Sequence, residues 1–308
     1  MNCSFSFLRL WNYLNIYFLK PFDAVNDTIT SDLLLKFQWK NNYFEIGSGD
    51  GMFSYIMHGN SFPIWFDRYL NTNIKKKNIF DTNFKNYPNI KKKFKIRPKV
   101  SLDARNHHIV SLNKLGFSKK NTLGNYENFK SKNNSQNLIF FYTPHGLKNY
   151  SKSIDNIKKI LKKNGRILVL LNLIKVDDCF IFYKLQKKFK GKLKNYFSNL
   201  DNGRFKETKK LSKSFKKWKK FFTNRDFKIL NYYCGLSPFV WKIYDIQTRP
   251  ILKLLIIFFN FFPIWIRSVI KILWMILFYP FLFLTYLYGS NLSKLHKDKC
   301  YVVFELKK

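Results

Sequence analysis

The sequence predicts an α/β protein organised on a doubly wound, mostly parallel sheet, and three observations carry that prediction. First, Tyr43-Phe44-Glu45-Ile46 runs directly into Gly47-Ser48-Gly49-Asp50-Gly51 and then into the helix-like run Met52 to Met57. A strand, a glycine-rich turn and a helix in that order is how α/β proteins hold a nucleotide. Second, strand-like and helix-like segments alternate through about residue 175, as a parallel sheet with crossover helices requires. Third, Arg166 to Leu173 is a near-continuous apolar run, which is how a strand buried on both faces reads.

Residues 1–40 form an N-terminal extension. Phe5 to Leu19 is aromatic-rich, with neither the basic start nor the small-residue cleavage site of a signal peptide. It reads as a helix that packs on the domain or lies at a membrane surface. Asp23 to Asp32 is polar and reads as a loop into a short helix at Leu33 to Phe37. The main domain spans 41–235. Within it, residues 58–98 read as an insertion or lid: Lys75-Lys76-Lys77 and Lys91-Lys92-Lys93 flank an Asn-rich stretch, and Pro63, Pro88 and Pro98 oppose a continuous helix. Val100 to Asp103 reads as a strand ending in an acid, followed by a helix whose apolar positions Ile109, Leu112 and Leu115 lead to Gly116. A third strand falls near Asn121 to Gly124 and a strongly apolar fourth at Asn137 to Tyr142. Ser151 to Lys163 carries Ile154, Ile157, Ile160 and Leu161 on one helical face, with Asn164-Gly165 as its stop. Phe227 to Tyr233 reads as a sixth strand, and Tyr301 to Leu306, in the final segment 300–308, as the last.

Over 308 residues the chain has apolar material for one α/β domain with additions, or two small domains. Lys and Arg number 56 against 18 Asp and Glu, a formal net charge of +38, which implies attraction to nucleic acid or phospholipid. The chain is also rich in Asn, Ile, Phe and Tyr, as AT-rich coding produces, and part of the charge excess reads as that bias. Cys3, Cys179, Cys234 and Cys300 stand singly with no C-x-x-C pair. That argues against a zinc site and a disulfide framework, so no metal is expected and the compartment reads as reducing cytoplasm.

The glycine turn selects among ligands. The dinucleotide fingerprint G-x-G-x-x-G fails because Met52 stands at its third glycine, and the G-K-[ST] of a phosphate loop is absent. The remaining acid-x-Gly-x-Gly-x-Gly resembles the first motif of the class I S-adenosylmethionine-dependent methyltransferases, in particular the type 11-like and ubiquinone/menaquinone-methyltransferase-like members. Leu161-Lys162-Lys163-Asn164-Gly165-Arg166-Ile167-Leu168 resembles the family's "LKPGGxL" turn into its fifth strand, and Asn134-Ser135 its entry to the fourth. The resemblance covers about residues 40–175, with a weaker echo at the C-terminus. It implies a Rossmann-like sheet whose last strand is antiparallel, and S-adenosyl-L-methionine as cofactor. Glu45, Gly47, Gly49 and Gly51 would hold the methionine end. An acid after the second strand would grip the ribose; Asp103, between a strand and a helix, is preferred to Asp67, and either could instead be an N-cap. Asn125 falls where the family commonly has an acid at the adenine amino group, and its carbonyl can still accept from an amine. His145, after the fourth strand, is the candidate general base, although a histidine here in the family often only shapes the pocket.

Lys206 to Phe222 is basic with Phe215, Trp218, Phe221 and Phe222 interleaved, and reads as a solvated or a phospholipid-facing helix. Ile251 to Tyr288 is apolar, its only charged or amide residues being Lys253, Asn260, Arg267 and Lys271. Ser268 to Tyr288 alone could span a bilayer by length. If the strands on either side share one sheet, however, the chain must leave and return on one side. Residues 250–289 therefore read as a hydrophobic helical hairpin inserted before the last strand, dipping into the cytoplasmic leaflet with its basic heads snorkelling; a core hairpin or a dimer interface is the alternative. The function so read is an S-adenosylmethionine-dependent methyltransferase at the cytoplasmic face of a membrane, acting on a lipid or lipid-linked acceptor such as a quinone precursor or an envelope glycolipid. A non-catalytic scaffold of the same fold is one alternative, supported by Asn125. An RNA methyltransferase is the other, and the "NPPY" loop of amino-group methylation in nucleic acids is absent after the fourth strand.

Overall fold

The computed structural model of the chain describes residues 3–70, 72, 94–129, 134–142 and 149–308. It opens with two helices, α1 (Cys3–Tyr17) and α2 (Pro21–Leu34). Pro21 sits in the first turn of α2, where its missing N–H is no loss. The stretch expected to be a loop, Asp23 to Asp32, is thus helical, and every residue of α2 except Asp23 is buried. Isolated Asn, Asp, Ser and Thr favour loops because their side chains compete for the backbone. Here they find tertiary partners instead. Ser31 bonds the Tyr13 hydroxyl (2.7 Å), Asp32 accepts from Tyr286 (2.6 Å), and Asn26 accepts from Tyr301 (3.3 Å).

Next come β1 (Tyr43–Ile46), α3 (Met52–Met57), β2 (Pro98–Asp103), α4 (Asn106–Leu115), β3 (Lys120–Leu123), β4 (Gln136–Tyr142), α5 (Tyr150–Ile160) and β5 (Leu161–Leu173), in the expected alternation. Helix α5 stops short of its sequence pattern. Leu161 is already extended (ψ 135°) and pairs with Gln136, so Asn164-Gly165 lies inside β5, where a register shift opposite Gln136/Leu138 absorbs the surplus residues. After a 3₁₀ turn at Ile174–Cys179 the chain forms α6 (Ile181–Lys188), α7 (Gly191–Asp201), α8 (Arg204–Lys210), β6 (Ser212–Lys213), α9 (Phe215–Thr223) and β7 (Lys228–Gly235). The basic run is thereby split between α8 and α9; α9 turns Trp218 and Phe222 into the core. The last elements are α10 (Pro238–Ile246), α11 (Leu252–Asn260), α12 (Ile264–Gly289) and β8 (Tyr301–Lys307).

The sheet order is β3-β2-β1-β4-β5-β8-β7, with β6 paired to β5. Strand β8 is antiparallel to both of its neighbours, and the other pairings are parallel. This is the Rossmann-like, doubly wound sheet with an antiparallel last strand. Successive side chains of a strand point to opposite faces. Leu138 and Phe140 of β4 therefore join the layer that contains α1, α2, α3 and α10 to α12, while Ile139 and Phe141 join the layer of α5 and α9.

The excursion between β7 and β8 begins and ends at one place, because Gly235 pairs with Tyr301 and Cys234 bridges to Ser293. Its two apolar helices meet at Phe261 to Pro263 and are unequal, 9 and 26 residues long. Among the described residues α12 is the one helix long and apolar enough to cross a membrane. It is nevertheless docked along one side: Trp274 donates to the Phe18 carbonyl and Tyr279 to that of Phe7, both at 2.9 Å. Arg267 and Lys271, expected to reach outward, are turned inward and are each 2% exposed. The Arg267 guanidinium pairs with Asp67 (Nε to Oδ2 2.8 Å), and Lys271 donates to the carbonyls of Phe66 (2.7 Å) and Ile64 (3.0 Å). Snorkelling fails here because the turn at 64–67 presents a carboxylate and carbonyls that must be satisfied on burial.

Removing one partner of a buried pair leaves an uncompensated charge. Asp67→Ala should therefore cost about 3–5 kcal/mol in denaturant unfolding, and Asp67→Ala with Arg267→Met should cost clearly less. Equal losses in the two variants would mean the pair is not what holds α12 to the turn.

Candidate functional site

The three alternate glycines all have positive φ: Gly47 at 78°, Gly49 at 58° and Gly51 at 81°. L side chains rarely adopt such geometry. The turn is tied to the end of the neighbouring strand. Gly47 N and Ser48 N donate to the Leu102 carbonyl (2.9 and 3.3 Å), and Gly49 N donates to Asp103 Oδ2 (2.9 Å). A Cβ on Gly51 would meet the Leu112 side chain at 2.5 Å, whereas nothing lies within 4 Å of a Cβ on Gly49. Gly51 is thus a packing glycine, and the Gly49 side of the turn is open.

Asp103 ends β2 and is buried. Its Oδ1 accepts from Arg105 N (2.9 Å) and His108 Nδ1 (3.0 Å), and its Oδ2 from Gly49 N and the Tyr126 hydroxyl (3.4 Å). Burial pushes its carboxyl up, but the His108 hydrogen bond and charge and the two backbone amides outweigh it and hold the group below the usual range. Glu45 behaves oppositely. It is buried with Ser54 and Ser101 hydroxyls as partners, and burial pushes its carboxyl up to about 7.

In front of the turn lies a cavity of about 270 Å³. Glu45 and the Gly47 to Asp50 backbone form one wall; Tyr17 from α1 and Asp23, Asn26 and Asp27 from α2 form another. Tyr142, Tyr301, Trp241 and Tyr244 line it further, from β4, β8 and α10. Asp50 is paired with Arg68 (2.7 Å), and the lining cation Arg204 with Asp245 (2.9 Å).

Of the residues singled out in the sequence, Glu45, Gly47 and Gly49 line the cavity, Gly51 sits behind it and Asp103 braces the turn from β2. Asn125, in the exposed loop after β3, accepts from Glu127 N (2.9 Å) and so shapes that loop. Asp67 is committed to Arg267 and to Tyr69 N (2.8 Å), so the acid at the end of β2 is Asp103. His145 lies outside the described residues. Asp23 and Asp27 were hidden by reading their segment as a loop. The signal was there: Asp23, Asn26 and Asp27 stand at i, i+3 and i+4 behind a proline, one face of a helix. Among the described residues no group of three or more His, Cys, Asp or Glu is placed to hold a metal. Carboxylates around an open glycine turn do suit a ligand with positive centres, such as a sulfonium with an ammonium group.

No family model matches the chain, and no curated protein matches it. Similar solved structures exist at low identity. One is an S-adenosylmethionine-dependent methyltransferase of Thermotoga maritima, given as a possible histamine N-methyltransferase (12% identity, 92% of this chain and 89% of that chain, TM-score 0.48). Another is the YcgJ protein of Bacillus subtilis (10% identity, 90% and 97% covered, TM-score 0.42). A third is the plantazolicin methyltransferase BpumL, solved with a desmethylplantazolicin analogue and S-adenosylhomocysteine (12% identity, 100% and 86% covered, TM-score 0.42). At these values the likeness is one of general chain path, and the functional reading rests on the site.

Two outcomes test the site. Gly49→Val forces a branched side chain into positive φ and into the open side of the turn, and should abolish cofactor binding in calorimetry while the far-UV circular dichroism is retained. Glu45 tests burial. Between its ordinary 4.5 and about 7 the folded chain keeps a proton that the unfolded chain has released, so its contribution to stability is full below 4.5 and is lost as pH rises through 7. Glu45→Gln should leave stability unchanged at pH 4.5 and raise it by on the order of 3 kcal/mol at pH 8; an equal gain at both values would point to packing instead.

Proposed function

We propose that the chain is an S-adenosylmethionine-dependent methyltransferase that works at a membrane surface on a lipid or lipid-linked acceptor. The observation that carries methyl transfer is the glycine turn, open at Gly49, braced by Asp103 and facing a carboxylate-lined cavity. The cofactor supplies a methyl group activated on a positively charged sulfur. The backbone of Gly47 to Gly49 with Glu45 would hold its methionine end. Asp103 would take the ribose hydroxyls in place of Tyr126 or His108, and Asn125 the adenine amino group through its side-chain carbonyl. His145 keeps its two sequence-based roles, general base or pocket wall.

Membrane attachment is supported by the outward face of α12. Trp265, Val269, Leu273, Leu277, Phe281 and Leu284 recur along it at helical spacing and are all exposed, Leu277 to 72%. Phe258 of α11 and Phe261 just after it extend the same character. Because Arg267 and Lys271 point inward, this ridge carries no charge. A helix with one packed flank and one bare apolar flank suits an interfacial position rather than a crossing, and the basic surface of the chain adds attraction to anionic headgroups from the cytoplasmic side.

Calorimetry should show binding of both S-adenosylmethionine and its demethylated product; absence of both removes the enzyme reading. Flotation with anionic vesicles should carry the chain to the top, weakened but not abolished by high salt. Leu277→Asp with Phe281→Asp should release it while cofactor binding persists. Free solubility of the unaltered chain would overturn the membrane part.

A further inference from the structure

We propose that the cavity in front of the glycine turn receives its methyl acceptor as a protonated amine, with Asp27 as the group that binds the N–H and takes its proton; this rests on the methyl-transfer reading. The argument is one of carboxylates and their partners. Asp50 is neutralised by Arg68, and Asp23 is held by Lys20 and by the Gln247 amide, both at 2.5 Å. Glu45 lies on the glycine-turn wall, where the cofactor's own ammonium group would sit. Asp27 lies on the α2 wall. It is buried yet faces the cavity, and its partners are neutral: the Asn26 amide at 3.2 Å and the Tyr17 hydroxyl. The nearby cation of the lining, Arg204, is engaged by Asp245.

A carboxylate without a paired cation, in a cavity lined by the aromatic residues Tyr17, Tyr142, Tyr244 and Trp241, is the chemistry that recognises an ammonium ion. The groups that act on Asp27 are Asp23 and the Asn26 amide on its own helix, Arg68 after α3, Tyr13 and Tyr17 on α1, and the tyrosines of β4, α10 and β8. Burial, with Asp23 adding to it, pushes the Asp27 carboxyl up to about 7, so it exchanges a proton near neutrality. The ammonium gives one proton to the carboxylate, leaving a neutral amine and a carboxylic acid. The freed lone pair forms the new N–C bond as the sulfonium S–C bond breaks, its electron pair remaining on sulfur. Helix α2 also touches α12, through Asp32 with Tyr286 and Phe22 with Phe281. One helix therefore separates the amine site from the apolar ridge, and the amine could be free or carried on a lipid headgroup.

The test uses the full chain with the demethylated cofactor bound. Ethanolamine is titrated calorimetrically against that complex; separately, with S-adenosylmethionine in place of the product, methyl transfer is compared on nanodiscs of phosphatidylethanolamine and of phosphatidylcholine, transfer to the first alone marking a lipid-borne amine. Ethanolamine affinity in the unaltered chain, measured with the demethylated cofactor at saturation throughout, should fall as pH drops from 8 to 6. Asp27→Asn should bind cofactor as before and lose ethanolamine affinity by at least about tenfold. Loss of cofactor affinity in Asp27→Asn, or a pH-independent ethanolamine affinity in the unaltered chain, overturns the assignment. Failure of the unaltered chain to bind cofactor at all overturns the methyl-transfer reading and this one with it.

Discussion

The hydrogen bond from the Gly49 amide to the Asp103 carboxylate joins the two strand ends on which the site is built. Strands β1 and β2 are parallel neighbours, so their C-terminal ends open on the same edge of the sheet. A glycine turn alone has many conformations and loses much entropy on ordering. The bond to a carboxylate held charged by four donors gives this turn one conformation. With the turn fixed, its open side faces α2, and the cavity between them acquires two chemically different walls. One is backbone and a serine-bonded acid, and the other is acids and tyrosines.

Much of the sheet could be read in advance because its strands obey local rules. The apolar runs at β4 and β5 and the glycine at the end of α4 announce themselves without reference to the rest of the chain. The choice between Asp67 and Asp103 is not a local one, since residues 58–97 separate α3 from β2. Pairing settles which acid ends β2, because Ile46 lies against Leu102.

What could not be read depended on distant partners. Helix α2 looks like a loop until Tyr13, Tyr286 and Tyr301 supply bonds for its polar side chains. The direction of Arg267 and Lys271 is likewise invisible in a hydropathy profile. An isolated apolar helix would point both toward water, and only the turn at Ile64 to Asp67 draws them in. The acid at Asp27 belongs to the same class, since its exposure to the cavity follows from the burial of everything around it.

The partners of the first two helices carry a consequence for how the chain reaches this state. Tyr286 meets Asp32 across 254 residues of sequence, Tyr279 meets Phe7 across 272, and Tyr301 meets Asn26 across 275. Helices α1 and α2 are made long before the segments that complete their hydrogen bonds. Contacts of such separation slow folding, and a helical pair left without its partners during synthesis is exposed to aggregation. Their acids and buried tyrosines, in turn, have no low-cost place in water-free surroundings until α12 and β8 arrive. The wall that faces the glycine turn therefore gains its last hydrogen-bond partners only once α12 and β8 have been made.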